Sequence, residues 1–183
     1  MRVMIDACVL FPTVMREIVL GVAEQGLFKA RWSERILEEW ARATPKLGLG
    51  AEEIARGEIA LLRVRFPDAI VPANPGLETR LWLPDPADIH VLAAAVAGHC
   101  DMILTLNAAD FPKNLLAEEG LTRHDPDGFL CDLHRRDPAA VGRACDAVLA
   151  EARRLSAEPW EMRALLKKAR LPRLAKALAA QAN

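Results

Sequence analysis

The sequence predicts an α/β fold: a central, mostly parallel sheet flanked by helices, followed by an extra helical C-terminal extension. Three observations carry this expectation. Short apolar runs that close on a polar residue, Arg2-Val3-Met4-Ile5 before Asp6 and Asp101 to Leu106 before Asn107, read as buried strands. They alternate with longer segments of helical apolar spacing, the pattern that builds strand–helix–strand units. From Asp127 onward the spacing is helical throughout, so the strands end well before the last residue.

In order along the chain, the first strand gives way at Pro12 to a helical pattern through Gly26, with Val14, Ile18, Val22 and Leu27 on one side. Leu27 to Trp32 is the second candidate strand. Ser33 is an N-cap type residue, and Glu34 to Ala43 should be the helix it opens. Pro45, Gly48 and Gly50 break the chain before a second amphipathic helix, Ala51 to Phe66. Pro67, Pro72, Pro75 and Pro84 make the next stretch loop, with short strands at most at Ala69-Ile70-Val71 and Leu81-Trp82-Leu83. Asp85-Pro86 starts a helix to Gly98, proline being favoured at the first helical position. After the Asp101–Leu106 strand come a short helix and a strand-like Leu121-Thr122-Arg123. Helices over Pro138–Ser156, Pro159–Arg170 and Pro172–Ala182 each open on a proline. The final segment, Leu171–Asn183, is Ala-rich and terminal, so its removal is expected to cost little stability.

Composition bounds the class. The 183 residues are 52% hydrophobic, enough for a packed core and far from the composition of a disordered chain. No apolar run approaches the roughly 20 residues that span a bilayer. Asp6 interrupts the opening MRVMIDACVLF too early for a secretory signal, which points to the cytoplasm and to no membrane partner. The four cysteines (Cys8, Cys100, Cys131, Cys145) form no CxxC and read as small apolar residues, and His124, Cys131 and His134 match no standard zinc spacing. Net charge is −1 but uneven: from Pro159 onward six Lys/Arg face one acid, while the preceding residues carry 18 basic and 24 acidic side chains.

The chemistry-bearing residues are acids at strand ends and helix starts. In an open α/β sheet, ligands bind beyond the carboxyl ends of the strands, near the point where strand order reverses. Asp6 closes the first strand. Asp85 and Asp88 begin the helix before the Asp101–Leu106 strand, and Asn107 and Asp110 follow that strand. Glu38 or Glu39, on the Glu34–Ala43 helix, supplies a further carboxylate. Each has an ordinary alternative as a turn residue, a cap or a solvated face. Taken together, several carboxylates at one sheet end repel one another and call for a cation. Hard oxygen donors without a Cys/His set favour Mg²⁺ or Mn²⁺.

These residues also carry a family likeness. Met4-Ile5-Asp6-Ala7-Cys8-Val9-Leu10, Trp32-Ser33-Glu34-Arg35-Ile36-Leu37-Glu38-Glu39-Trp40, Leu83-Pro84-Asp85-Pro86-Ala87-Asp88-Ile89-His90-Val91-Leu92, and Ile103-Leu104-Thr105-Leu106-Asn107-Ala108-Ala109-Asp110-Phe111-Pro112 follow in the order and spacing of PIN-domain nucleases. The sequence resembles that family, in particular the VapC-type toxins of toxin–antitoxin pairs. The resemblance implies a PIN-like nuclease domain over residues 1–130 and leaves residues 131–183 as a helical C-terminal extension packing on the body. It implies a ribonuclease with Asp6, Glu39, Asp88 and Asp110 around Mg²⁺ (or Mn²⁺), and with Asn107 completing the catalytic set. Asp6 matches the first acid, Asp88 the third, and Glu39 the second, with Glu38 as the alternative. Many members carry Asp where this chain has Asn107, so Asp110 is the candidate for the missing charge.

Further implications of the resemblance are a cognate antitoxin whose peptide enters the acidic pocket, and a homodimer. A catalytically inactive PIN-like scaffold is the alternative function, with Asn107 as its support. Thr105 stands one hydroxyl away from the acids and could position a ligand carboxylate. Arg31, Arg35, Arg42 and Lys113 are the nearby cations for RNA phosphates. Arg163, Lys167, Lys168, Arg170, Arg173 and Lys176 form a basic face that could meet RNA, antitoxin or water.

Overall fold

In the computed structural model, which describes residues 1–156 and 158–181, strands β1 (Arg2–Ile5), β2 (Lys29–Arg31), β3 (Met102–Leu104) and β4 (Thr122–His124) form one sheet ordered β2-β1-β3-β4. All pairings are parallel, with Val3 beside Ala30 and Met102, and Met102 beside Thr122. Sequence polarity explains the order. Val3, Met4 and Ile5 of β1 and Ile103 and Leu104 of β3 are fully buried, as inner strands covered on both faces must be. The outer strands carry Lys29, Arg31, Thr122, Arg123 and His124, whose polar side chains suit an edge.

The chain leaves β1 for β2 on one side and later enters β3 on the other. Strand order therefore reverses between β1 and β3, and a crevice opens there at the carboxyl ends. Asp6 directly follows β1 and Thr105 directly follows β3.

The helices are α1 (Ala7–Leu10), α2 (Thr13–Glu24), α3 (Glu34–Ala43), α4 (Ala51–Arg65), α5 (Pro75–Arg80), α6 (Ile89–Ala97), α7 (Lys113–Glu118), α8 (Pro126–Arg136), α9 (Pro138–Leu155), α10 (Met162–Lys168) and α11 (Pro172–Gln181). By compactness the chain forms two units. One is Met1–Phe11 with Lys29–His124, and the other is Pro12–Phe28 with Asp125–Asn183. The first holds the sheet. Its α3 begins where expected, with Ser33 Oγ accepting from the Ile36 N–H at 3.2 Å. Trp32 and Trp40 are fully buried, and Trp32 meets Phe66 edge-on with ring centres 5.6 Å apart.

The second unit is helical and takes in α2 beside the C-terminal helices. A Cβ on Gly21 of α2 would come 3.2 Å from the Ala144 Cβ of α9, so the small residue permits a close crossing. Asp127 of α8 is buried, and its carboxylate accepts from the Arg173 and Leu174 N–H groups of α11, each at 2.9 Å. Leu171 and Leu174 are fully buried, and Ala175 almost so. The expectation that Leu171–Asn183 contributes little stability is therefore corrected: Ala-rich composition concealed an anchored, apolar helix face.

Other expectations shift locally. The one-turn α1 follows Asp6 without any strong sequence signal. α5 replaces expected loop: Asn74 caps it, accepting from the Leu77 N–H at 3.1 Å, and Pro75 opens it. Leu81–Leu83 forms no strand, and Ala69–Val71 is reduced to a single parallel bridge between Trp32 and Ile70. The helix expected from Asp85 begins as a 3-10 turn, Pro86–Asp88, before α6. The helix expected from Pro159 starts at Met162, and Ala182 lies outside the described residues. Among the described residues no helix is long and apolar enough to cross a membrane.

Candidate active site

Asp6 opens α1 without capping it through its side chain. The carboxylate is instead held across the β1–β3 crevice. Its Oδ2 accepts from the Thr105 hydroxyl at 2.7 Å and from the Cys8 thiol at 3.0 Å. Thr105 Oγ1 accepts in turn from the Asn107 N–H at 3.0 Å, and the Leu106 N–H donates to Cys8 Sγ at 3.2 Å. Burial and the neighbouring Asp6 charge push the Cys8 thiol up to about 12, so it stays an S–H donor. Both contacts fall on one oxygen of Asp6; Oδ1 has no hydrogen bond among the described residues.

Asp88 ends the 3-10 turn and caps nothing with its side chain. Burial pushes its carboxyl up to about 6, and the charges of Asp6, Asp110 and Asp85 act in the same direction, against His90. Asp6, Asp88 and Asp110, from three separate stretches, therefore share one electrostatic neighbourhood. Asp85 belongs to its rim, where Oδ1 accepts from the Ala87 N–H at 2.9 Å. Asn107 reaches the site through its backbone, and its exposed side chain makes no hydrogen bond among the described residues.

The two glutamates of α3 differ sharply. Glu38 is bound by Arg42 at 2.6 Å and by Arg56 at 2.9 and 3.1 Å, and these hydrogen bonds, Arg56 first, lower its carboxyl to about 2. It lies in a surface ion network. Glu39 faces the other way: its Oε1 is 3.3 Å from Arg35 Nε and 2.8 Å from His90 Nε2. Arg35 also reaches the Ala87 carbonyl, at 3.4 Å. His90 is 4% exposed, and neither ring nitrogen lies in line for a hydrogen bond. Nε2 and Glu39 Oε1 are thus in contact but misaligned. A buried polar nitrogen left in that state costs on the order of 1–3 kcal/mol.

Of the other cations named from sequence, Arg31 donates to the Asp68 carbonyl and Arg42 is taken by Glu38, while Lys113 is exposed. Cys8 and His90 were missed as partners of the acids. Cys8 gave no signal beyond its place two residues after Asp6. His90 did: it is the one polar residue within the apolar run Ile89–Ala97.

The donors fit a hard divalent cation in kind. Among the described residues no three Asp, Glu, His or Cys side chains form a ready-made metal cage. Mg²⁺ does not require one, because it commonly keeps several waters and takes one or two carboxylates plus substrate phosphate. Burial first, and the neighbouring carboxylates second, raise the Asp88 carboxyl, and a cation beside it would favour its charged form.

Comparison with known proteins divides the chain between residues 109 and 126, with Pro12–Phe28 inside the first match. The family model described as PIN domain matches residues 2–109, more than half of the chain, with all the named acids except Asp110. The chain belongs to the PIN-domain family. The VapC50 C-terminal domain matches residues 126–180, from α8 to α11, and makes this PIN-domain chain one of the VapC type. Neither the curated proteins nor the solved structures searched contain a match. As a PIN-domain chain it is a nuclease by family.

Proposed function

We propose that this PIN-domain nuclease is a divalent-metal-dependent endoribonuclease, using Mg²⁺ or Mn²⁺, that acts as the toxin of a toxin–antitoxin pair. The observation that carries the reading is the convergence of Asp6, Asp88 and Asp110 at the strand-order reversal, with Asp88 pushed up to about 6. The VapC50 C-terminal match supports the toxin role and a cognate antitoxin as partner. Asp6 and Asp88 are the proposed ligands, with Glu39 and Asp110 completing the shell. A bound divalent ion supplies charge neutralisation at a phosphodiester and acidifies water near it.

The protein's own groups do the rest. Thr105 and Cys8 hold one Asp6 oxygen and leave the other without a hydrogen bond among the described residues. Arg35, half exposed beside Glu39, draws a phosphate toward the acids by charge. Asn107 presents a neutral amide where a fourth charge would only add repulsion. The inactive-scaffold reading rests on Asn107, and Asp110 weakens it, because its charge already bears on Asp88.

The test is cleavage of single-stranded RNA and DNA with and without EDTA, followed by added Mn²⁺. RNA cleavage lost on chelation and restored by Mn²⁺ is the expected outcome. Cleavage that survives thorough chelation would sink the metal mechanism.

A further inference from the structure

Asp6 and Glu39 share a pattern: the protein's own contacts fall on one carboxylate oxygen and leave the other without a partner among the described residues. In Asp6, Thr105 and Cys8 occupy Oδ2. In Glu39, both neighbours fall on Oε1, with Arg35 Nε at 3.3 Å and His90 Nε2 at 2.8 Å, and Oε2 has no partner among the described residues. Arg35 is exposed and also reaches toward Ala87 and Glu78, at 3.4 and 3.8 Å, so its guanidinium is shared among several acceptors. His90 is different. It is buried on the first turn of α6, two residues after Asp88, in a helix whose remaining residues are apolar. Its two nitrogens have no hydrogen-bond partner to satisfy them, which is rare for a buried imidazole without a task.

We infer that His90 is a positioning residue for Glu39: its Nε2–H holds Oε1 and thereby turns Oε2 toward the Asp6–Asp88 neighbourhood. The inference rests on the proposed metal-dependent reading and assigns the side chain that links α3 to it. Three facts converge on it. Among the described residues, the Nε2–Oε1 contact links Glu39 to the helix that follows Asp88. His90 is buried on the first turn of that helix, two residues after Asp88, so its place is fixed by the same element that carries the third acid. The contact is close but misaligned, as hydrogen bonds in sites of this kind often are until the cation and substrate tighten them. His90 then does for Glu39 what Thr105 does for Asp6, an outer partner that sets the direction of a ligand oxygen.

The experiment measures Mn²⁺ affinity by electron paramagnetic resonance, independent of turnover, in the full chain. Six forms are compared: wild type, His90→Ala, His90→Gln, His90→Leu, Glu39→Gln and the His90→Ala, Glu39→Gln double variant. His90→Ala should weaken Mn²⁺ binding about 10- to 100-fold, and His90→Gln, which keeps an N–H donor near the Nε2 position, should recover most of it. His90→Leu, which keeps bulk without a donor, should not recover it and guards against a collapsed alanine variant. In the Glu39→Gln background His90→Ala should cost nothing more, because its partner is already altered. Unchanged affinity in His90→Leu, or a loss that is equally large in the Glu39→Gln background, overturns the assignment. Wild type that fails to bind Mn²⁺ overturns the metal reading itself, a different result from these.

Discussion

At the scale of single residues, the carboxylates of this site are defined by what already occupies them. Glu38 and Glu39 are adjacent, yet two arginines consume Glu38 while Glu39 keeps one oxygen without a partner among the described residues. Asp88 is the most strained electrostatically. Its folded carboxyl, raised from 3.8 to about 6, binds a proton more tightly than the unfolded chain does. The stability that this proton brings is present below pH 4 and is lost as pH rises through about 6. Metal-free wild type should therefore lose melting temperature across that window relative to Asp88→Asn, which does not titrate there. At pH 7 the variant should melt higher, by about 2–4 °C if roughly 1 kcal/mol of repulsion is relieved. Asp6→Asn and Asp88→Asn should each abolish RNA cleavage, and Glu38→Gln should leave it near wild type. Parallel melting curves for wild type and Asp88→Asn, or near-wild-type cleavage by either aspartate variant, would count against the assignment.

At the scale of elements, α11 shows how a single carboxylate anchors a helix. Asp127 on α8 accepts from the first free N–H groups of α11, Arg173 and Leu174, donors that a helix start cannot satisfy internally. Leu171 and Leu174, at the same end of the helix, are buried. Asp127→Ala leaves two donors without acceptors and should destabilise the chain by about 1–3 kcal/mol, whereas Asp127→Asn, still an acceptor, should lose less. Hydrogen exchange is the direct measurement: amides of α11 should lose protection first in Asp127→Ala. Equal protection in both variants would show that the apolar face alone holds the helix.

At the scale of the whole molecule, the charge asymmetry bears on a polyanionic substrate. The residues before Pro159 are net acidic, and those after it carry six cations. Arg163, Lys167 and Lys176 are exposed and enter no ion pair among the described residues, while Lys168 lies over the Trp160 ring at 4.6 Å and Arg173 is 3.8 Å from Asp125. If the first three contact RNA phosphate, changing them to Gln should weaken RNA binding and make its salt dependence shallower by about one unit per lost contact. Filter binding across a range of salt checks this. An unchanged slope would leave the face as solvated surface or as a surface for the antitoxin.

The strands, the capped helix behind Ser33 and the four acidic motifs were legible from local pattern, because burial on both faces, caps and strand ends leave marks within a few neighbouring residues. Helix α5 also left such marks, Asn74 and Pro75, which the surrounding prolines masked. Other features depend on residues far apart in sequence. Thr105 holds Asp6 across 99 positions, His90 meets Glu39 across α6 and α3, and α2 joins the C-terminal helices in one compact unit. Which glutamate of α3 enters the arginine network and which meets His90 depends on where Arg56 and His90 come to rest. Composition and periodicity record what each segment prefers by itself; the direction of a carboxylate is set by its neighbours in space, and only the folded chain brings those together.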